Sequence, residues 1–220
     1  MEEKSNSKYC YENGVLINKL GIQDLDLLHK TERNYTTFRI SELECGKKKI
    51  NVFGVNGYLE LHKLIFSDIY PFAGKIRDEA IYKSNSPYAE GKTPFCYPTF
   101  IYQNLKYYLD EMKENVRKIK SREDLVYYLA HYYGEINMVH PFREGNGRTL
   151  RTYLKLYVES INRYLPFDDV EIRYSYWDEY DRELLLRASV LSSINGDSSL
   201  LEKVFDKVLV YKSDIKNKVR

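Results

Sequence analysis

Twelve consecutive residues, His140 to Arg151, concentrate the side chains that could do chemistry, and they read HPFREGNGRTLR. The histidine has an ordinary pKa of about 6.5, so its imidazole can accept a proton from a hydroxyl at neutral pH. Pro141 and Phe142 follow it, and we expect them to hold the loop rather than to react. His140 is therefore the predicted general base.

A glycine-rich stretch follows, made of Gly145, Asn146 and Gly147. Glycines allow close approach of the backbone to a ligand, and the first amide groups of a helix attract anions together with the helix dipole. Arg148 and Arg151 lie three residues apart and share one helix face, where two guanidinium groups can grip phosphate oxygens. This arrangement predicts a polyphosphate site.

Glu144 directly precedes the glycine-rich stretch. A lone carboxylate that shares the metal with phosphate oxygens and water is a usual ligand set for Mg²⁺. Each feature of the segment is common by itself, as a Gly-Asn-Gly turn, a packed histidine or two solvated arginines. Packing explains their combination within one short loop poorly, so we interpret the segment as a nucleotide and metal site.

Apolar residues at steps of three and four predict amphipathic helices on both sides of this segment. One stripe runs from Ile101 to Ile119, a second from Leu125 to Ile136, and a third from Leu150 to Ile161. Ser121 is the predicted N-cap of the second helix. The chemical segment should therefore lie in the loop between two helices.

Four further stretches have helical periodicity, namely Asp24–Glu44, Gly57–Tyr70, Tyr180–Ser193 and Leu200–Val210. Between Gly74 and Pro98 the pattern breaks, and Ile76–Lys83 has the composition of a short strand. We predict one all-α domain over residues 1–220. Its core spans about residues 55–165 and a β-hairpin flap spans about residues 75–97.

Composition excludes several classes of partner. The 34 basic and 32 acidic residues nearly cancel, which gives no overall field for nucleic acid or an anionic membrane. The 22 tyrosines are expected to pack at the edge of the core rather than to stack on bases. Three scattered cysteines and the lack of a long apolar stretch predict free thiols and a cytoplasmic protein.

The segment from His140 to Arg151 resembles the signature of the Fic family: His-Pro-Phe, any residue, an acid, Gly-Asn-Gly-Arg, two residues and Arg. Every defined position is present. The resemblance extends to Asn18–Ile22, Leu61–Phe66, Tyr70–Gly74 and Tyr133–Asn137. It implies a Fic-type helical domain with a small β-hairpin flap, which transfers AMP from ATP to a Tyr, Ser or Thr hydroxyl of a target protein and releases pyrophosphate.

The resemblance also implies a role for each residue of the segment. It implies that His140 is the base and that Glu144 is the Mg²⁺ ligand. It also implies that the phosphates are bound by Gly145, Asn146, Gly147, Arg148 and Arg151. The flap of this family clamps the target peptide by main-chain pairing. The residues expected there are Ile81, Tyr82, Lys83 and Phe95.

Many Fic proteins are restrained by a helix that reads Ser or Thr, three residues, Glu, then Gly or Asn, and whose glutamate pairs with the second arginine. Ser86–Gly91 fits this pattern but contains a proline, which suits a helix interior poorly. Ser198–Glu202 has the spacing but not the ending. Glu90 and Glu202 are thus candidate inhibitory residues. The alternative we favour is that of the Fic toxins, in which a small separate antitoxin brings the glutamate to Arg151.

Relatives of that kind modify bacterial type II topoisomerases, which supplies a candidate target class. Two other functions remain open. A Fic relative can transfer phosphate or phosphocholine instead, although the kinase-like branch lacks the second glycine and Gly147 is present here. A helical regulator that senses nucleotide is the other alternative, but it would have little need of His140.

Overall fold

A computed structural model of the protein describes residues 7–85, 87–174 and 179–218. Within these ranges it contains eight α-helices and two short antiparallel strand pairs, which confirms the predicted all-α class with a small hairpin. The helices are α1 Leu25–Glu44, α2 Gly54–Phe66, α3 Ile101–Asn115, α4 Arg122–Val139, α5 Asn146–Ile161, α6 Glu179–Asn195, α7 Ser199–Val208 and α8 Lys212–Lys218.

The predicted flap is a hairpin of β1 (Tyr82–Ser84) and β2 (Lys92–Pro94). The strand expected from Ile76 begins only at Tyr82, because the chain before it bonds elsewhere: the Arg77 amide donates to the Pro141 carbonyl at 2.9 Å. The helix expected over Gly57–Tyr70 begins earlier, at Gly54, and ends at Phe66. A turn follows it, in which the Tyr70 amide donates to the Phe66 carbonyl at 2.9 Å.

A second strand pair was not predicted. It joins β3 (Val170–Ile172) to β4 (Leu209–Tyr211) in antiparallel register. The helix expected over Leu200–Val210 is therefore wrong at its end, because Leu209 and Val210 leave α7 and pair with β3. This pairing joins two segments that are far apart in the sequence, which no local pattern indicates.

The N-terminus of α4 carries the predicted cap. The Ser121 Oγ accepts from the Asp124 amide at 3.1 Å, and the Asp124 carboxylate accepts from the Ser121 amide at 3.0 Å. This reciprocal capping box satisfies two amide groups that a helix start would otherwise leave unpaired. It fixes the start of α4 and therefore the position of His140, which follows the eighteen residues of this helix.

The core lies between α2, α4 and α5, whose inward side chains are almost fully buried. They include Leu61, Ile65, Leu129, Leu150 and Leu154. Phe142, in the middle of the chemical segment, is also fully buried and stacks on Tyr58 with ring centroids 5.8 Å apart. Phe142 thus anchors the middle of the loop between α4 and α5 in the core.

Among the described residues, no helix combines the length and the apolar character that crossing a lipid bilayer requires. The three cysteines, Cys10, Cys45 and Cys96, are free thiols, as predicted.

Candidate active site

His140 ends α4 in the left-handed conformation, with φ 46° and ψ 60°. It is the one non-glycine residue with positive φ in the described part of the chain, and such a conformation costs about 1–2 kcal/mol. Its Nδ1 lies 2.9 Å from the Asn137 carbonyl oxygen. Because a carbonyl only accepts, Nδ1 carries the proton and Nε2 is left as the proton-accepting nitrogen.

The imidazole of His140 is held neutral. Its ring stacks on Phe95 with centroids 3.7 Å apart and planes 16° from parallel. Burial lowers the pKa of His140 to about 4, and the positive charges of Lys83 and Arg77 act in the same direction. At pH 7 the imidazole is therefore in its basic form.

His62 holds the loop at its other end. The Gly74 amide donates to His62 Nδ1 at 2.8 Å, so His62 Nε2 carries the proton and donates to the Glu144 carbonyl at 3.0 Å. Its ring stacks closely on Phe142, with centroids 3.6 Å apart, and burial lowers its pKa to about 3. The sequence segment Leu61–Phe66 pointed to the family, but it gave His62 no role.

The predicted polyphosphate site begins at Gly145, which is the N-cap of α5 and has φ 81°. A Cβ at this position would lie 2.3 Å from Cζ of Phe66, so both the backbone and the space require glycine. The Gly145 amide donates to the carboxylate of Glu144 at 2.8 Å. A Cβ at Gly147 would lie 3.2 Å from Nη1 of Arg151, which brings that guanidinium next to the start of the helix.

The side chain of Asn146 stabilises the loop between α4 and α5. The Phe142 amide donates to its Oδ1 at 2.8 Å, and its Nδ2 donates to the Phe142 carbonyl at 2.7 Å. Both ends of the amide are thus used within the loop. The predicted phosphate contact of Asn146 would have to come from its backbone amide in the first turn of α5.

The two arginines predicted to bind phosphate, Arg148 and Arg151, have different surroundings. Arg148 pairs through Nη2 with the carboxylate of Glu32 on α1, and its Nη1 lies 3.3 Å from Thr36 Oγ1. Its guanidinium carbon also lies 4.9 Å from the centre of the Phe66 ring. Glu32 in turn accepts from the hydroxyl of Tyr70. Sequence reasoning missed Glu32, which lies in no motif.

A cavity of about 550 Å³ opens beside His140. The flap, the end of α4, the loop, the first turn of α5 and one face of α6 enclose it. Within the segment from His140 to Arg151, every predicted site residue except Arg148 lines this cavity. Those that do are His140, Glu144, Gly145, Asn146, Gly147 and Arg151.

All four predicted flap residues line the same cavity, namely Ile81, Tyr82, Lys83 and Phe95. Tyr82 and Lys83 lie in β1, which pairs with β2 alone in the described chain and so forms an edge of a two-stranded sheet. Tyr82 is 66% exposed. The structure therefore brings the flap and the chemical segment together around one space.

The two candidate inhibitory residues are not among the described residues that line this cavity. Glu90 is exposed in the turn between β1 and β2, where its carbonyl accepts from Asn85 Nδ2 at 3.1 Å. Ser86, which begins that candidate motif, lies outside the described residues. Glu202 lies in the first turn of α7 and accepts from Ser198 Oγ at 3.3 Å. Neither lines the space next to Arg151 in the described chain.

Glu144 is the candidate metal ligand. Its carboxylate is 41% exposed and lies at the cavity, and it is a hard oxygen donor of the kind that Mg²⁺ prefers. In the residues that the structure describes, no group of three or more His, Cys, Asp or Glu could hold a metal by itself. The donor set therefore fits a metal that a bound polyphosphate also ligates.

Comparison with known proteins identifies the family that the sequence resembles. Residues 53–158 match the Fic/DOC family. VbhT of Bartonella schoenbuchensis, named a protein adenylyltransferase, is 32% identical over 209 residues, which cover 94% of this chain and 40% of VbhT. The chain thus spans less than half of that relative. The Fic protein of Escherichia coli K12 is 27% identical over 199 residues, or 89% of this chain and 88% of that protein.

Solved structures give the same picture of the fold. BepC of Bartonella tribocorum with bound AMPPNP superposes with a TM-score of 0.77 at 17% identity, over 93% of this chain and 97% of that one. A Fic domain of a Bartonella quintana effector with bound ADP gives a TM-score of 0.78 at 18% identity, over 95% and 97%. The fold, the signature and the matched residues agree that the chain contains a Fic/DOC domain at residues 53–158.

Proposed function

We propose that this chain is a protein adenylyltransferase, which moves AMP from ATP to a hydroxyl side chain of a target protein and releases pyrophosphate. The observation that carries the proposal is that a neutral His140, a helix N-terminus built on Gly145 and the side chain of Arg151 all line one cavity. The adenylyltransferase name of VbhT and the nucleotides bound in the two solved relatives support it.

In this reaction the target hydroxyl gives its proton to Nε2 of His140, and its oxygen forms a bond to the α-phosphorus of ATP. The bond from the α-phosphorus to the oxygen that bridges to the β-phosphate breaks, and pyrophosphate leaves. The amide groups at the start of α5 and the guanidinium of Arg151 stabilise the negative charge that moves onto the leaving group. Glu144 would hold Mg²⁺, which when bound neutralises phosphate charge.

Arg148 was also predicted to bind an outer phosphate. To reach one, its guanidinium would have to leave the carboxylate of Glu32, whose side chain is only 7% exposed. Separating a buried ion pair leaves an unpaired buried charge, which is strongly unfavourable. We therefore assign the outer-phosphate contact first to Arg151, and the phosphate role of Arg148 stays a prediction.

The wall that α6 contributes suits the base of a nucleotide. It presents apolar side chains from Leu185, Leu186 and Val190 beside the hydroxyls of Ser189 and Ser193. A planar purine can pack on the apolar groups, while the hydroxyls, whose protons bond to the Leu185 and Ser189 carbonyls, can accept from an amino group on its edge. We infer that the adenine lies toward α6 and the phosphates toward α5.

We infer that the target protein docks as an extended segment along β1, beside Tyr82 and Lys83. Edge strands bind peptides through main-chain hydrogen bonds, which depend little on peptide sequence. Docking along β1 would bring the target hydroxyl near His140, but it would not select one particular target protein. A type II topoisomerase remains the proposed target class, and the cytoplasm the proposed location.

We propose further that a separate small antitoxin restrains the enzyme by bringing a glutamate to Arg151. Among the described residues, neither Glu90 nor Glu202 lines the cavity beside Arg151, which supports a glutamate supplied by another chain. We also propose that the N- and C-terminal helices pack on the Fic core as parts of one domain.

The test is incubation of the purified chain with a target lysate and ATP labelled at either the α- or the γ-phosphate. AMP transfer requires protein label from α-labelled ATP, and His140→Ala should abolish it while ATP binding persists. Protein label from γ-labelled ATP alone would instead support phosphate transfer. A His140→Ala protein that keeps its full biological effect would support the nucleotide sensor.

A further inference from the structure

Arg77 lies between α2 and β1, and its side chain is almost completely buried, with 1% exposed. Its Nε donates to the His140 carbonyl at 2.8 Å, its Nη1 to the Glu79 carbonyl at 2.6 Å, and its Nη2 to the Cys96 carbonyl at 2.6 Å. Its own backbone amide donates to the Pro141 carbonyl at 2.9 Å. The acceptors of this guanidinium are all backbone carbonyls.

These bonds join two parts of the site. His140 and Pro141 belong to the catalytic loop, whereas Cys96 directly follows Phe95 at the foot of the flap. The base of the flap is also hydrogen-bonded to α4, because the Cys96 amide donates to the Met138 carbonyl at 3.0 Å. Arg77 therefore holds the backbone of the base and the root of the flap in one fixed arrangement.

Packing alone does not explain an arginine here. Burial disfavours the charged form and lowers the pKa of Arg77, and an apolar side chain of similar length would avoid that cost. What only a guanidinium offers is several donors in a rigid plane, which can bridge carbonyls of different segments. His140 needs such support, because its left-handed backbone is unfavourable by itself.

We propose that Arg77 is a positioning residue for AMP transfer, which fixes the strained backbone of His140 relative to the flap so that the base meets the hydroxyl of the docked target. The inference rests on the proposed function, since it takes His140 as the base. It assigns Arg77 no contact with ATP. Loss of Arg77 should thus affect the chemical step and target binding more than nucleotide binding.

Arg77 also adds to the electrostatic field at His140. The charged or titratable groups that line the cavity together with His140 are Tyr82, Lys83, Tyr88, Tyr133, Arg143, Glu144 and Arg151, and Arg77 lies on the backbone of His140. The positive charges of Lys83 and Arg77 favour a neutral imidazole. Removing the charge of Arg77 should raise the pKa of His140, whereas a lysine at the same place should largely preserve it.

The experiment compares Arg77→Met and Arg77→Lys with the unaltered chain, with α-labelled ATP and a hydroxyl-bearing target. We expect both variants to lower kcat by about tenfold to a hundredfold, since a misplacement of about 1 Å can cost about a hundredfold. The KM for target should rise, and the Kd for ATP should stay within about twofold because Arg77 binds no phosphate. Arg77→Met alone should move the acid limb of the pH profile to higher pH.

A second readout does not depend on activity. The chain has four histidines, and NMR of histidine-labelled protein, with His140→Ala to assign the signal, reports the titration of His140 directly. Arg122→Gln is the control: Arg122 donates to the Asp206 and Leu209 carbonyls at 2.6 and 2.7 Å, also pairs with the Asp206 carboxylate, and does not line the cavity. It should leave kcat and the titration unchanged.

A wild-type kcat and an unmoved His140 titration in Arg77→Met would overturn the inference. So would a fall in kcat that a parallel loss of ATP binding explains, since this indicates general disruption of the fold. If Arg77→Met fails to fold, Arg77→Lys decides, and wild-type kinetics in that variant reject the proposal. Transfer that survives His140→Ala would instead reject the proposed function, whatever Arg77 does.

Discussion

Arg148 pairs with Glu32, a buried carboxylate on α1 that lies 116 residues earlier in the chain. The pair links the first turn of α5 to a helix outside the residues that match the Fic/DOC family. The same guanidinium also lies 3.6 Å from the carboxylate of Glu144. Through this ion pair, α1 therefore stabilises the candidate metal and phosphate site.

Glu32→Ala should destabilise the protein. It leaves Arg148 and the Tyr70 hydroxyl without their acceptor, and breaking a buried ion pair costs about 3–5 kcal/mol. Urea denaturation would measure the free energy of unfolding. Asp110→Ala, which removes the exposed pair with Lys106, is the control and should leave stability near that of the wild type. Equal effects of the two variants would show that the Glu32 pair does not stabilise the fold.

Gly145→Ala should abolish ATP binding. The new Cβ would need a left-handed backbone and would overlap the Phe66 ring, so the start of α5 must move. Gly196 has a similar φ of 68° but open space around it, so Gly196→Ala should cost only about 1–2 kcal/mol. Isothermal titration with ATP separates the two. Normal ATP affinity in Gly145→Ala would refute the predicted polyphosphate site at the start of α5.

The rate of AMP transfer should persist to unusually low pH. The base must be neutral, and the pKa of His140 is about 4, so kcat/KM for the free enzyme should fall only as the pH drops through about 4. An ordinary histidine would lose activity near pH 6.5, where half of it is protonated. A profile from pH 4 to pH 8 is the measurement, and an acid limb near pH 6.5 would contradict the buried, neutral imidazole.

His62 should make stability depend on pH. Its folded pKa of about 3 lies below the unfolded value, so the stability it contributes is present above about pH 6.5 and is lost as pH falls toward 3. His62→Gln should flatten the dependence of Tm on pH between 7 and 5. The exposed His29 is the control, and His29→Gln should retain the wild-type slope. An unchanged slope in His62→Gln would show that His62 titrates alike in both states.

Glu202→Gly and Glu90→Gly should each leave the rate of transfer unchanged. Neither side chain lines the cavity beside Arg151 in the described residues, so neither competes there with phosphate. Initial rates with α-labelled ATP would check this. Strong activation by either substitution would mean that the chain restrains itself, and the separate antitoxin would no longer be needed.

Sequence alone determined the all-α class, the flap and the placement of a twelve-residue chemical segment between two helices. These features are local: helical periodicity, the Ser121 cap and an uninterrupted signature are all read within a few turns of chain. The same locality explains why His140 and the residues from Gly145 to Gly147 could be predicted to line one site.

Only the tertiary structure decided which residues support that site. The contacts of Glu32 with Arg148, of Arg77 with His140 and of His62 with Glu144 span 116, 63 and 82 residues. No periodicity encodes such pairs, because they arise when helices and loops pack and each buried polar group must find a partner. The β3–β4 pairing escaped prediction for the same reason, since two three-residue strands gain their stability from each other.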